Sequence, residues 1–367
     1  MDCYNSRVKN IEFPIFLPDA TRAVTKSLDS KDLENAGIEG VVVNTYHLAE
    51  TPGVSVLNSM GGVKSFMNFK GLVVSDSGGW QIFSLIHRSR NAGKITDKGV
   101  IFSAGVKKKE LFTPEKSVQV QFNIGSDMII CLDDFTPPDA PIEKTKETVE
   151  RTILWAKRSK QEYLRILEQN KVEDKDKPLL FAVIQGNYSR DLRKHCADKL
   201  LEIGFDGLGY GGYAINEETH SLDLELSRYI AELIPEGVIR FALGVGFPYE
   251  IAMCNQMGWQ IFDCTLPTRD ARHKRLYVFT KRPENLKDLL NPETYSNIYI
   301  GREYYHSDER PISEFCDCHT CRYYSRAYIK HLFDIEDTAA YRLASIHNLR
   351  HYANLTKLLR NYKKASV

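Results

Sequence analysis

Four aspartates occupy equivalent points in the local pattern: Asp76 after Leu72-Val73-Val74, the pair Asp133-Asp134 after Met128–Leu132, and Asp263 after Gln260-Ile261-Phe262. Each follows a short apolar run that reads as a β-strand, so a sheet with parallel strands would bring several carboxylates to one end. Carboxylates gathered in this way can serve as nucleophile, general acid and base, and acceptor for a polar heterocycle. For any one of them, a helix cap or a loop bridge explains its position equally well. As a group they point to chemistry. Glycine pairs at Gly78-Gly79 and Gly211-Gly212 would let backbone approach a ligand closely, although strand-to-helix turns use glycine for the same purpose. Trp80, beside the first pair, could stack on a planar base or simply pack under its loop.

A second constellation lies near the C-terminus. Cys316, Cys318 and Cys321 fall within six residues, whereas Cys3, Cys131, Cys196, Cys254 and Cys264 are scattered. Such clustering suggests metal ligands more than disulfides. Three thiolates suit zinc, which needs a fourth ligand. His347 is the preferred candidate, and His319, His331 and His351 stay open. Four protein ligands would leave no place for an activated water, so the expected zinc is structural. A catalytic-zinc hydrolase would need one of the four to be absent.

The elements that must position these groups are legible as alternation. Runs at Val41–Val43, Leu72–Val74, Met128–Leu132, Leu179–Ile184, Asp206–Tyr210, Ile239–Leu243, Gln260–Phe262 and Leu276–Phe279 are separated mostly by helical patterns, such as Pro141–Leu167 and Leu192–Leu201 with a start at Ser189. Eight runs of this kind predict an α/β fold, a (β/α)₈ TIM barrel. The polar and glycine-rich residues after them then fall on the C-terminal rim, where such barrels build their sites. A doubly wound sheet would alternate similarly. The barrel is expected over residues 1–281, with a polar insertion near 87–116 carrying Lys107-Lys108-Lys109. A zinc-binding subdomain follows over 282–347, and a helix over 348–367 closes the barrel.

A chain of 367 residues with 43% hydrophobic content is long enough for this plan. Its 49 basic and 48 acidic residues leave a formal charge of +1, so a nucleic acid would have to be held by a local basic patch. No apolar run is long enough to span a bilayer and no signal segment follows Met1, so the protein is expected to be cytoplasmic with no membrane partner.

The rim residues also form a series. Asn44-Thr45-Tyr46-His47-Leu48, Ser75-Asp76-Ser77-Gly78-Gly79-Trp80-Gln81 and Phe262-Asp263-Cys264 with Leu266-Pro267-Thr268-Arg269 resemble the tRNA-guanine transglycosylases, the queuine tRNA-ribosyltransferases, of bacterial type. So do Gly125-Ser126-Asp127, Gln185-Gly186, Phe205-Asp206-Gly207, and Cys316-x-Cys318-x-x-Cys321 with Ile346-His347-Asn348-Leu349. The match runs from about Phe13 to the last helix.

The resemblance implies a barrel with an inserted zinc subdomain, commonly a homodimer. It implies exchange of the wobble guanine of tRNAs with a GUN anticodon for a 7-deazaguanine base, by a ping-pong reaction. By matching position, Asp263 would take the ribose C1′ and Asp76 would be the general acid/base. Asp133 and Gln185 would hold the base edge near Gly212, with Trp80 and Leu243 sandwiching the ring. Arg269 and Arg272 would read the anticodon, with Lys274 and Arg275 extending the patch; Arg322, Arg326 and Lys330 would add to it from the zinc region.

The chain departs from the family pattern at Phe135, after the Asp pair, and at Tyr213, Ile215 and Asn216. These changes line the implied base pocket and leave the incoming base, preQ1 or queuine, open. Competing readings are a non-catalytic partner subunit, against which Asp76 and Asp263 argue, and a paralogue acting on DNA or another tRNA site.

Overall fold

In the computed structural model, residues 11–79, 93–102, 110–212 and 221–365 are described. The strands, in chain order, are Ile15–Pro18 (β1), Gly40–Asn44 (β2), Leu72–Asp76 (β3), Gly93–Thr96 (β4), Gly99–Phe102 (β5), Glu110–Phe112 (β6), Met128–Ile130 (β7), Leu179–Ile184 (β8), Gly207–Tyr210 (β9), Ile239–Ala242 (β10), Ile261–Cys264 (β11), Arg275–Phe279 (β12) and Tyr295–Tyr299 (β13).

Eight of them form one parallel sheet in the order β1-β11-β10-β9-β8-β7-β3-β2. The sheet curls into a barrel. The residues after β1 bring its two edge strands together: Asp19 bridges Val42, the Ala20 N–H donates to the Val42 carbonyl at 2.7 Å, and the Asn44 N–H donates to the Thr21 carbonyl at 3.1 Å.

The period of two along a strand explains both the core and the rim. Ile15 and Leu17, Val42, Leu72 and Val74, Phe181 and Val183, and Ile261 pack together inside the barrel. The next inward positions at the C-terminal end are Asp19, Asn44, Asp76, Gln185 and Asp263. Strand β9 and the residue after it offer glycine at each inward position because there is no room: a Cβ on Gly207 would lie 2.1 Å from the Phe181 ring, and one on Gly211 would lie 2.3 Å from Val183. Outside, helices cover the sheet. Helix Ile142–Gln169 starts after Pro141, and helix Arg190–Ile203 is capped by Ser189, whose side chain accepts from the Leu192 N–H at 3.3 Å.

Three expectations are corrected. The eighth barrel strand is Ile15–Pro18, which was not among the expected runs; Leu276–Phe279 lies instead within β12, paired antiparallel with β13. The polar insertion carries a three-stranded antiparallel sheet, β4-β5-β6; Lys107 to Lys109 lie outside the described residues. The closing helix begins at Thr338 rather than Asn348 and runs to Ala365, so His347 lies within it. Among the described residues, no helix is long and apolar enough to cross a membrane.

Candidate active site and metal centre

At the C-terminal mouth of the barrel is a cavity of about 550 Å³. Asp19, Asp76, Asp133 and Asp263 line it together with Gln185, Gly212, Phe135, Leu243 and Arg269. Three of the four expected rim carboxylates therefore converge. Asp134 does not. It is buried beside Arg151, which also reaches Glu147 and Asp97, so it ties the rim to helix Ile142–Gln169 and to the insertion.

Asp263 stands at the end of β11, and its Oδ1 accepts from the Gly244 N–H at 2.9 Å. Loss of hydration lifts its carboxyl to about 7, against the pull of that hydrogen bond and aided by the charges of Asp76 and Asp19. Asp76 accepts from the Asn44 amide at 3.0 Å; desolvation raises it to about 6, restrained by bonds from Gly78, Asn44 and Ser77. Asp133 accepts from Gln185 Nε2 at 2.7 Å and is lifted by burial to about 7, with Asp76 and Asp134 adding repulsion.

Glycine lets these parts meet. A Cβ on Gly79 would stand 2.7 Å from Asp133 Oδ1, and Gly212 takes φ +74° with Phe135 3.2 Å from where its Cβ would be. Behind this wall lies Arg193, wholly buried, which the sequence reading did not single out. Its guanidinium donates to the carbonyls of Ile184, Gly211 and Asn187, holding the ends of β8 and β9 on which Gln185 and Gly212 sit. Asp19 was missed too, because the strand before it was. The short run Ile15-Phe16-Leu17 ahead of Pro18-Asp19 was the available signal. Trp80, Tyr213, Ile215 and Asn216 lie outside the described residues.

The candidate metal-ligating set is equally compact. The ligand atoms of Cys316, Cys318, Cys321 and His347 all lie within 4.8 Å of one another. His347 Nδ1 faces the thiols, 3.2 Å from Cys321 Sγ and 3.8 Å from Cys318 Sγ, while Nε2 lies 2.8 Å from the Tyr277 carbonyl. A histidine that ligates through one nitrogen and donates from the other has its ring orientation set by that second bond. Three thiols and an imidazole fit a tetrahedral, thiophilic ion. His319, His331 and His351 stand outside the set, and His351 stacks on Tyr277 and packs at a tilt against Phe279.

One turn of the closing helix links the two centres. The buried Asn348, next to His347, accepts from the Tyr277 N–H at 3.0 Å and donates to the carbonyls of Pro267 at 2.9 Å and Arg275 at 3.0 Å. It thereby clamps helix Leu266–Arg272, which follows the Asp263 strand and carries Arg269 and Arg272. Arg269 is half exposed at the cavity edge, and Arg272 keeps a buried Nη1 without a partner among the described residues. Arg275 is held by Asp270 at 3.5 Å among the rings of Phe247, Tyr277 and Tyr299, and Lys274 reaches over Phe333. Two of the motifs prove to be architectural: Asp127 accepts from the Val73 N–H and pairs with Lys64, and Asp206 accepts from the Leu180 N–H.

The family model described as queuine tRNA-ribosyltransferase matches residues 4–364. The chain belongs to the queuine tRNA-ribosyltransferase family. A queuine tRNA-ribosyltransferase of Syntrophobacter fumaroxidans is 35% identical over 96% of this chain and 87% of its own. One of Thermoanaerobacter sp. is 36% identical over 95% and 86%. That of Psychrobacter sp. is 33% identical over 96% and 86%. As a member of this family the chain is an enzyme of the pentosyltransferase class.

Proposed function

We propose that this enzyme exchanges the wobble guanine of tRNAs with a GUN anticodon for a 7-deazaguanine base. The observation that carries the reading is the meeting of Asp263 and Asp76 on one wall of the 550 Å³ cavity, with Asp133 bonded to Gln185 on the other.

In this account, ionised Asp263 attacks C1′ of the ribose as the bond to guanine N9 breaks. The electron pair of that bond leaves with the base, which takes up the proton of the Asp76 carboxyl, and the sugar remains as an aspartyl ester. Asp76 then takes the N9 proton of the incoming base, whose nitrogen attacks C1′ and displaces Asp263. A carboxylate nucleophile suits the oxocarbenium-like character of such a step, and a group with a pKa near 6 suits proton transfer near neutrality. Asp133, Gln185 and the Gly212 backbone hold the base edge, with Leu243 against the ring and Trp80 the proposed second face. Arg269 and Arg272 hold the anticodon, flanked by Lys274 and Arg275.

The Cys316, Cys318, Cys321 and His347 set holds structural zinc, which supplies no step of the reaction but fixes the segment that Asn348 clamps. The enzyme is taken to be a cytoplasmic homodimer. Phe135, pressed toward Gly212, together with Tyr213, Ile215 and Asn216, sets the choice between preQ1 and queuine. The test is exchange of labelled guanine into an unmodified GUN-anticodon tRNA, with preQ1, preQ0 and queuine as competitors and mass spectrometry of the product. Exchange suppressed by one of these bases supports the reading. No exchange into any tRNA contradicts it.

A further inference from the structure

The cavity divides into two arcs of the barrel. Going round the ring, Asp133, Gln185, Gly212 and Leu243 end or follow the consecutive strands β7, β8, β9 and β10. Asp263, Asp19, Asn44 and Asp76 end or follow β11, β1, β2 and β3, the other four. If the base lies against the first arc and C1′ is reached by Asp263, the sugar lies against the second. Asp19 is on the strand next to Asp263. The register pairs Leu17 with Asp263, so Asp19, on the same face two residues on, sits one step nearer the mouth.

The carboxylate of Asp19 is only partly engaged. Its Oδ1 accepts from the Thr21 hydroxyl, and among the described residues no other hydrogen bond or ion pair to it is present. The charges of Asp76, Asp263 and Arg272 all respond to it, which fits a group close to the reacting centre. A carboxylate with a spare oxygen on the sugar side of a nucleophile calls for a hydroxyl donor. The hydroxyl nearest to C1′ is the one on C2′, and an O–H to carboxylate bond is among the stronger kinds.

We propose that Asp19 recognises the sugar: its second oxygen accepts a hydrogen bond from the 2′-hydroxyl of the ribose under attack, so that the site takes a ribonucleotide and rejects a deoxyribonucleotide at the target position. This rests on the function proposed above. A group that bonds a substrate hydroxyl is left unpaired by the analogue lacking it, which is how such a residue discriminates.

The experiment measures labelled-guanine exchange into a GUN-anticodon stem-loop with ribose, 2′-deoxyribose or 2′-fluororibose at the exchanged nucleotide, using wild type, Asp19→Ala and Asp19→Asn. Comparing ratios of kcat/KM cancels the intrinsic lability of each sugar. Wild type is expected to favour ribose over 2′-deoxyribose by roughly 10- to 100-fold more than Asp19→Ala does, with Asp19→Asn, still an acceptor, in between. The 2′-fluoro substrate, which lacks the donor and is intrinsically slower in every variant, should likewise fall further behind ribose in wild type than in Asp19→Ala. Exchange with the same ratio in wild type and Asp19→Ala overturns the assignment alone; this is also the outcome if Asp19 serves only as a counter-charge for Arg272. No exchange by wild type into the all-ribose substrate overturns the function on which it rests, and the assignment with it.

Discussion

At the scale of single residues, burial rather than any one partner raises the carboxylates of the cavity. In the proposed mechanism Asp263, lifted to about 7, must lose its proton to attack, so kcat/KM should fall as pH drops through about 7. A rate profile flat from pH 5 to 8 would contradict this. The same shift acts on stability. Asp263 holds its proton in the folded chain to higher pH than in the unfolded one, so between about 4 and 7 folding binds protons and stability declines as pH rises. Asp263→Asn, which cannot ionise, should therefore stabilise the fold, and by more at pH 8 than at pH 5; thermal melts at the two pH values measure the difference. Of the site residues, Asp76, Asp133, Asp263 and Gln185 were legible because each sits at a fixed point in a repeating strand-then-polar pattern, and Cys316, Cys318 and Cys321 because they cluster within six residues. Asp134 carries the same signal, but past the end of β7 its side chain turns away from the cavity that Asp133 enters. It meets Arg151 instead.

Among the elements, the last helix does most to join the parts. It contributes His347 to the metal set, Asn348 to the segment after the nucleophile, and Tyr352, whose hydroxyl donates to the Gly246 carbonyl at 2.6 Å. Asn348→Ala would leave the Pro267 and Arg275 carbonyls and the Tyr277 N–H without their partner, at a cost of about 1–3 kcal/mol for each group that stays buried. The expected result is a lower melting temperature and a raised KM for tRNA, with the affinity for free base little changed. A fall in base affinity alone would contradict it. The strand assignments that failed did so for a physical reason. Leu276-Tyr277-Val278-Phe279 has the composition of a strand and is one, but propensity reports suitability for a sheet, not which sheet. Ile15-Phe16-Leu17 is short and ends at Pro18, a residue that argues against a central strand, and so Asp19 was lost with it.

For the whole molecule, barrel and C-terminal segment form a connected system in which Cys316, Cys318, Cys321 and His347 stand outside the cavity lining. Stripping the metal with a chelator, or replacing Cys318 with alanine, should loosen the C-terminal segment, so that activity and melting temperature decline together. Loss of activity with an unchanged melting curve would instead indicate a catalytic metal. The barrel was legible because its inner residues repeat with period two and switch from apolar to polar at one end. How the insertion folds was not, since its sheet depends on antiparallel pairing between segments that look polar and turn-rich in isolation.

The central claim is that Asp263 becomes bonded to the ribose. The direct measurement is a denaturing gel of enzyme incubated with GUN-anticodon tRNA and quenched in acid, for wild type and Asp263→Asn. Wild type should yield an RNA-linked protein band that disappears when guanine is added before the quench, and Asp263→Asn should yield none and exchange no label. An RNA-linked band or undiminished exchange in Asp263→Asn would contradict the account.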